Sequence, residues 1–162
     1  MVNSLQATQS ELNNFNNLFS KKDHKEALAE LDLLTQKYPN DPNLFLFGGN
    51  CYVEMGHFNQ AILCYEVAIK LNPDLVDAHN NMGICLKETG EIDKAVISFQ
   101  KALKLKLKTF GEEHPSVATS YNNVGGSLRS LGRHEEALEY QKKSLKIKVK
   151  TFGEEHPAIA IS

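Results

Sequence analysis

The sequence has little that would cross-link it or carry it across a membrane. It contains three cysteines, five scattered prolines and no tryptophan among 162 residues. An odd number of cysteines without a close pair (Cys51, Cys64 and Cys85) argues against a disulfide framework or a zinc site. No apolar run reaches the roughly 18 residues of a transmembrane helix. The start, MVNSLQATQS, lacks the basic and apolar parts of a secretory signal, so a cytoplasmic location is expected.

Neither sign of charge dominates the composition. The chain has 18 basic and 20 acidic residues, and its formal net charge is -2. A near-neutral balance gives no general attraction to nucleic acid or to an anionic membrane surface. We therefore expect no nucleic acid partner and no membrane insertion. A chain of this length fits one globular unit or one short repeat array.

What the sequence does contain is an internal repeat. Gly56 and Gly90 lie 34 residues apart, and the same offset relates Ala61 to Ala95. From Gly90 to Gly132 the offset grows to 42 residues. Within each copy, apolar residues recur at spacings of three, four and seven, which indicates helices. The glycine between two apolar stretches suits the left-handed residue that ends a helix, so each copy predicts a pair of helices.

A ten-residue element returns at the longer offset. KLKTFGEEHP at 106–115 reappears as KVKTFGEEHP at 148–157. Leu107 and Val149 stand where a proline ends the second helix of the earlier copies, which predicts that this helix continues, in the third copy to about residue 112. The alternation of KLKLK at 104–108 could by itself indicate a strand, but the repeat favours a helix.

This pattern resembles the tetratricopeptide repeat (TPR) family, and the 42-residue copies are similar to kinesin light chain repeats. The family asks for a bulky residue, glycines, aromatics, alanines and a proline at fixed offsets. The second copy supplies Phe45, Gly49, Tyr52, Gly56, Ala61, Tyr65, Ala68 and Pro73. The resemblance implies an all-α fold, a right-handed superhelical α-solenoid of antiparallel helix pairs. Residues 1–162 would form one array, with a degenerate repeat at 8–41, further repeats at 42–75, 76–109 and 118–151, and the start of a truncated fifth at 157–162.

The resemblance also implies a binding surface. In this family the first helix of each repeat lines a concave groove, and here the positions that face the groove are rich in asparagine. An asparagine side chain offers a donor and an acceptor and can grip the backbone of an extended peptide. The alternative is that asparagine is merely a tolerated polar surface residue. The groove positions are Asn13, Asn16, Asn43, Phe47, Asn50, Asp77, Asn80, Asn81, Lys87, Thr119, Asn122, Asn123 and Arg129.

No arrangement of residues predicts catalysis. His134 opens a stretch like H-E-x-x-H, but Leu138 occupies the second histidine position. Glu113 and His114 of the GEEHP element are explained more simply as a loop before a helix that starts at Pro115. No phosphate-binding glycine loop is present. We therefore predict no enzyme and no catalytic, cofactor-binding or metal-binding residue.

Lysines are dense near the ends of two second helices. A solvated helix face that complements the helix dipole is the simpler interpretation, and an acidic partner or anionic surface is the alternative. The lysines concerned are Lys101, Lys104, Lys106, Lys108, Lys142, Lys143, Lys146, Lys148 and Lys150.

The expected function is that of a scaffold or adaptor whose groove binds an extended segment of a partner protein. An alternative is the substrate-recruiting or regulatory arm of a larger enzyme. Since the sequence stops at the start of a repeat, a fragment of a longer array is expected, or self-association through an exposed C-terminal repeat.

Overall fold

The computed structural model describes residues 6–152, which form eight α-helices and no strand. The predicted all-α fold is confirmed, and the alternating KLKLK segment lies inside a helix. The helices are α1 (Gln9–Ser20), α2 (His24–Lys37), α3 (Pro42–Glu54), α4 (Phe58–Leu71), α5 (Val76–Glu88), α6 (Ile92–Phe110), α7 (Pro115–Ser130) and α8 (His134–Phe152).

Left-handed residues separate the two helices of each pair, as the glycine spacing predicts. Gly56, Gly90 and Gly132 have φ angles of 73°, 83° and 74°. A side chain disfavours this conformation by about 1–2 kcal/mol, which explains the glycines. In the first pair the same place is taken by Lys22, at φ 64°. The degenerate first copy therefore keeps the turn although it has lost the glycine.

Asp41 joins the beginning of α3 to the segment before α1. Its side chain is 2% exposed. Oδ1 accepts a hydrogen bond from the backbone N–H of Asn43 (3.0 Å), and Oδ2 accepts one from the N–H of Ala7 (2.9 Å). The first bond satisfies a donor that the start of a helix leaves unpaired. One buried carboxylate thus fixes where two helices begin relative to each other.

The chain divides into two compact units, with the division between Cys85 and Leu86 in α5. In the first unit α1 packs on α2, α2 on α3, and α3 on α4. In the second unit α6 packs on α7, and α7 on α8. The cluster at α1–α3 consists of Phe15, Ala27, Leu31, Leu34, Leu44 and Cys51. Buried side chains of the second unit include Phe99, Leu103, Val117, Val124, Leu128 and Ile147.

Small residues occur where helices approach closely, as the repeat predicts. Ala61, Ala95 and Ala137 are 0%, 0% and 2% exposed. A Cβ atom added to Gly125 would lie 3.2 Å from the carbonyl oxygen of Ala137. The α7–α8 pair therefore depends on glycine to bring the helix backbones together.

The boundaries around the GEEHP loop differ slightly from those expected. α6 has 19 residues, against 14 in α2 and in α4, and ends at Phe110 rather than near 112. Gly111, at φ 76°, follows it and donates its N–H to the carbonyl of Leu107. α7 starts at Pro115, as the proline of the GEEHP element predicts, which is three residues before the repeat boundary placed at 118. The expected fifth repeat at 157–162 lies outside the described residues.

Candidate functional site

A cleft in the first unit brings together two of the predicted groove residues. Asn50 of α3 and Asn81 of α5 line a cavity of about 270 Å³. The remaining lining residues are the apolar Phe19, Val53 and Ile84, together with Tyr65 and Glu54. Small-molecule and peptide sites commonly combine such apolar walls with a few convergent polar groups. We call this cavity the asparagine cleft.

The polar groups of the asparagine cleft converge on one oxygen. Oδ1 of Asn50 accepts a hydrogen bond from the hydroxyl of Tyr65 (2.8 Å) and another from Nδ2 of Asn81 (3.0 Å). Nδ2 of Asn80 donates to Oδ1 of Asn81 (3.3 Å). Side chains on three helices, α3, α4 and α5, thus hold one another in place at the wall of the cleft.

Tyr65 also lines the asparagine cleft, although its position in the repeat does not predict a place in the groove. Its ring is fully buried, and burial raises the pKa of its hydroxyl, so the hydroxyl stays a donor at neutral pH. The ring has room because α3 carries Gly49, where an added Cβ would lie 2.3 Å from Cε1 of Tyr65. The sequence does contain a sign of this difference. The corresponding position in the next copy, 34 residues later, is Phe99, so Tyr65 differs from it by a hydroxyl.

The other predicted groove residues have different surroundings. Phe47 packs into the first unit, with its ring centroid 5.3 Å from that of Phe15. Oδ1 of Asn122 is buried and has no hydrogen-bond partner among the described residues. Half-buried positions are Asn43, Asn80, Asn122 and Asn123. Exposed positions are Asn13, Asn16, Asp77, Lys87, Thr119 and Arg129.

In the described part of the chain, the cysteine, histidine and acidic side chains form no metal site. Cys51 and Cys85 are fully buried, and burial raises the pKa of the Cys51 thiol to about 11, so it is unreactive. Across residues 6–152, no three His, Cys, Asp or Glu side chains are grouped to hold a metal ion. None of the helices in that range has the length and apolar character to cross a membrane.

Comparison with known families decides the classification. A tetratricopeptide repeat model matches residues 74–148 and 116–162, and a TPR repeat model matches residues 49–90. The chain belongs to the tetratricopeptide repeat family. Membership of the TPR family supports a protein-interaction scaffold. The resemblance of the longer copies to kinesin light chains stays a prediction.

Two curated relatives match part of the chain. Human protein O-mannosyl-transferase TMTC1 is 33% identical over 93 residues, which are 54% of this chain and 10% of that protein. The mouse protein of the same name is 32% identical over 93 residues, with the same shares. The chain thus spans about a tenth of the length of the curated relatives it matches.

Two crystal structures of MamA have a similar fold. The first has a TM-score of 0.77 and 22% identity, and the alignment covers 91% of this chain and 80% of that one. The second has a TM-score of 0.76 and 21% identity, with 95% and 78% covered. At this identity the likeness concerns the fold alone, and the predicted TPR fold is confirmed.

Proposed function

We propose that this chain is a non-catalytic scaffold, or adaptor, that binds an extended peptide segment of a partner protein along its first helices, in the groove expected for the family. The observation that carries the proposal is the convergence of Asn50, Asn81 and Tyr65 in the asparagine cleft. Amides offer paired donors and acceptors to a peptide backbone. We also propose a cytoplasmic location, since an odd number of cysteines in the sequence argues against a disulfide framework.

Preorganisation gives the asparagine cleft its advantage as a peptide site. Because Asn50 accepts from both Tyr65 and Asn81, neither amide has to be ordered when the ligand arrives. Binding then loses less side-chain entropy. Ile84 is 41% exposed and Phe19 half-buried, so an apolar side chain of the peptide would cover them while its backbone meets the amides.

The test uses a partner recovered by pull-down with the wild-type chain. Asn81→Ala should weaken its binding by roughly tenfold, since one hydrogen bond contributes about 0.5–1.5 kcal/mol and the change also frees Asn50. Asn123→Ala tests the corresponding position of α7 in the same assay. Asn59→Ala, on the exposed surface of α4, is the matched control and should leave affinity unchanged. Unchanged affinity in both groove variants, with helicity intact by circular dichroism, would place the interface elsewhere.

The similarity to protein O-mannosyl-transferase TMTC1 favours a second candidate. In it, the chain is the substrate-recruiting or regulatory arm of a larger enzyme. The full-length open reading frame distinguishes the two, because a catalytic domain in the same frame supports the enzyme arm and TPR repeats alone support the adaptor. Self-association through the last repeat stays a prediction, which sedimentation at several concentrations would test.

A further inference from the structure

A second cleft, of about 250 Å³, lies in the second unit beside α8. Lys143, Lys146 and Lys150 line it, and their spacing of three and four residues sets them on one face of the helix. Tyr121 and Ile147, both largely buried, form its apolar floor. The chemistry differs from that of the asparagine cleft, since three lysines and the two carboxylates of Glu112 and Glu113 line this one. We call this cavity the lysine cleft.

The lysine cleft already holds one carboxylate of the chain. Glu113, in the loop before α7, forms an ion pair with Lys150. Lys150, and more weakly Lys146, lowers the pKa of Glu113. Both partners are mostly exposed, 63% for Lys150 and 71% for Glu113, so the pair is weak and exchangeable. Glu113 therefore occupies one end of the row formed by Lys143, Lys146 and Lys150.

Two aromatic rings lie near Lys143, at the other end of this row. Nζ of Lys143 lies 5.8 Å from the ring centroid of Tyr121 and 5.9 Å from that of Tyr140. A cation within about 6 Å of a ring face is attracted by it. Lys143 and Lys150 are therefore positioned by different neighbours, with Lys146 between them along α8. Three spaced cations suit a ligand with several separated carboxylates.

The repeat itself indicates that a following helix leaves this face open. Forty-two residues earlier, α6 carries Lys101, Lys104 and Lys108 at the corresponding positions. α7 packs against α6, yet Lys104 and Lys108 remain exposed. A further helix packed in the same way on α8 would therefore leave Lys146 and Lys150 accessible.

We propose that the lysine cleft binds an acidic peptide segment of a partner protein, whose glutamate or aspartate carboxylates replace Glu113 on Lys150 and also contact Lys146 and Lys143. The internal ligand argues for this occupant, since Glu113 reaches the cleft from a short loop in a Gly-Glu-Glu sequence. Glu112 and Glu113 at the rim disfavour a dense polyanion such as nucleic acid. This binding surface is additional to the asparagine cleft and does not depend on it.

The test measures binding of a fluorescein-labelled peptide, GEEGEEG, by anisotropy at low ionic strength, with GQQGQQG as the control peptide. Lys143→Gln and Lys146→Gln should each weaken binding of the acidic peptide about two- to fivefold, the range for exposed charge pairs. Glu113→Gln should strengthen it by a similar factor because the internal competitor is gone. Lys142→Gln makes the same charge change on α8, but Lys142 pairs with Glu139 outside the cleft and should leave affinity unchanged.

The gain of affinity is the decisive result, since a variant that merely unfolds cannot produce it. Unchanged or weaker binding by Glu113→Gln would overturn the proposal. Equal binding of the glutamine peptide would also overturn it. So would tighter binding of duplex DNA or of vesicles with anionic lipid that depends on the same lysines.

Discussion

Glu11 shows how one side chain can secure a helix start and a helix pair at once. Its carboxylate accepts from the backbone N–H of Thr8 (2.9 Å) and from the hydroxyl of Tyr38 (2.8 Å), and it forms an ion pair with Lys37. The Thr8 hydroxyl in turn accepts from the N–H of Glu11, which completes a capping box at α1. The residue therefore links α1 to the end of α2, where Lys37 lies.

The same contacts predict a dependence of stability on pH. Lys37 above all, then Thr8 and Tyr38, lowers the pKa of Glu11 from 4.5 to about 2. Because the folded pKa lies below the unfolded one, the stabilising contribution is present above about pH 4.5 and is lost as the pH falls toward 2. Melting temperatures of the wild type and Glu11→Gln between pH 6 and 2 test this. The gap between them should close toward pH 2, whereas Glu26→Gln, an exposed control on α2, should track the wild type. A constant gap for Glu11→Gln would contradict the assignment.

At single positions, the site was only partly predictable. Asn50 and Asn81 were found because the family assigns their repeat positions to the groove. Tyr65 appears in the sequence analysis only as an aromatic of the repeat pattern, because its contact with Asn50 exists only once α3 and α4 pack together. Phe47 lies against Phe15, and its place in the groove stays a prediction. The position of a residue within a repeat predicts which way its side chain points, whereas the residues that it contacts depend on the neighbouring repeats.

At the scale of helices, the sequence alone does not distinguish a glycine that the packing requires from one that it does not. Gly49 gives space to the ring of Tyr65, whereas a Cβ atom on Gly126 of α7 would meet no atom within 4 Å. Gly49→Ala should destabilise the chain by about 1–3 kcal/mol through overpacking, and it should also displace the Tyr65 hydroxyl. Gly126→Ala should stabilise α7 by up to about 1 kcal/mol through helix propensity. Urea unfolding measures both, and effects of the same sign would contradict the distinction.

The helices themselves were largely predictable, and their ends less so. The spacing of the apolar residues and the positions of the glycines indicate two helices in each copy, because both features follow from local backbone preferences. α7 starts at Pro115, where the proline of the GEEHP element predicts it, whereas α6 ends at Phe110, two residues before the expected end. Gly111 and His114 decide these ends: Gly111 follows α6 with a positive φ, and the His114 ring accepts a hydrogen bond from the N–H of Ser116 (3.2 Å). Such caps depend on local backbone and side-chain geometry, which the spacing of the repeats does not show.

For the molecule as a whole, the family was predictable because its pattern recurs in register along the chain. Stability in such arrays accrues between neighbouring repeats, so small residues at repeated positions are a global signal rather than a local one. The lysine cleft was foreseen only as an alternative to a solvated helix face. Nothing in the lysine spacing shows that Glu113 and Tyr121 lie beside it, since loop and helix meet there only after folding.

The two clefts share no lining residue and differ in charge, so salt should separate their ligands. The screening length falls from about 10 Å at 0.1 M salt to about 3 Å at 1 M. Affinity for GEEGEEG should therefore fall severalfold between these concentrations. Binding that depends on Asn81, which rests on neutral hydrogen bonds and apolar contact, should change much less. Anisotropy for the acidic peptide and pull-down for the partner, each repeated with Asn81→Ala and Lys146→Gln, give the comparison. If Asn81→Ala weakens only binding of the partner and Lys146→Gln weakens only binding of the acidic peptide, the chain binds two ligands through different interactions. A partner whose binding is lost with either substitution and at high salt would instead depend on both clefts.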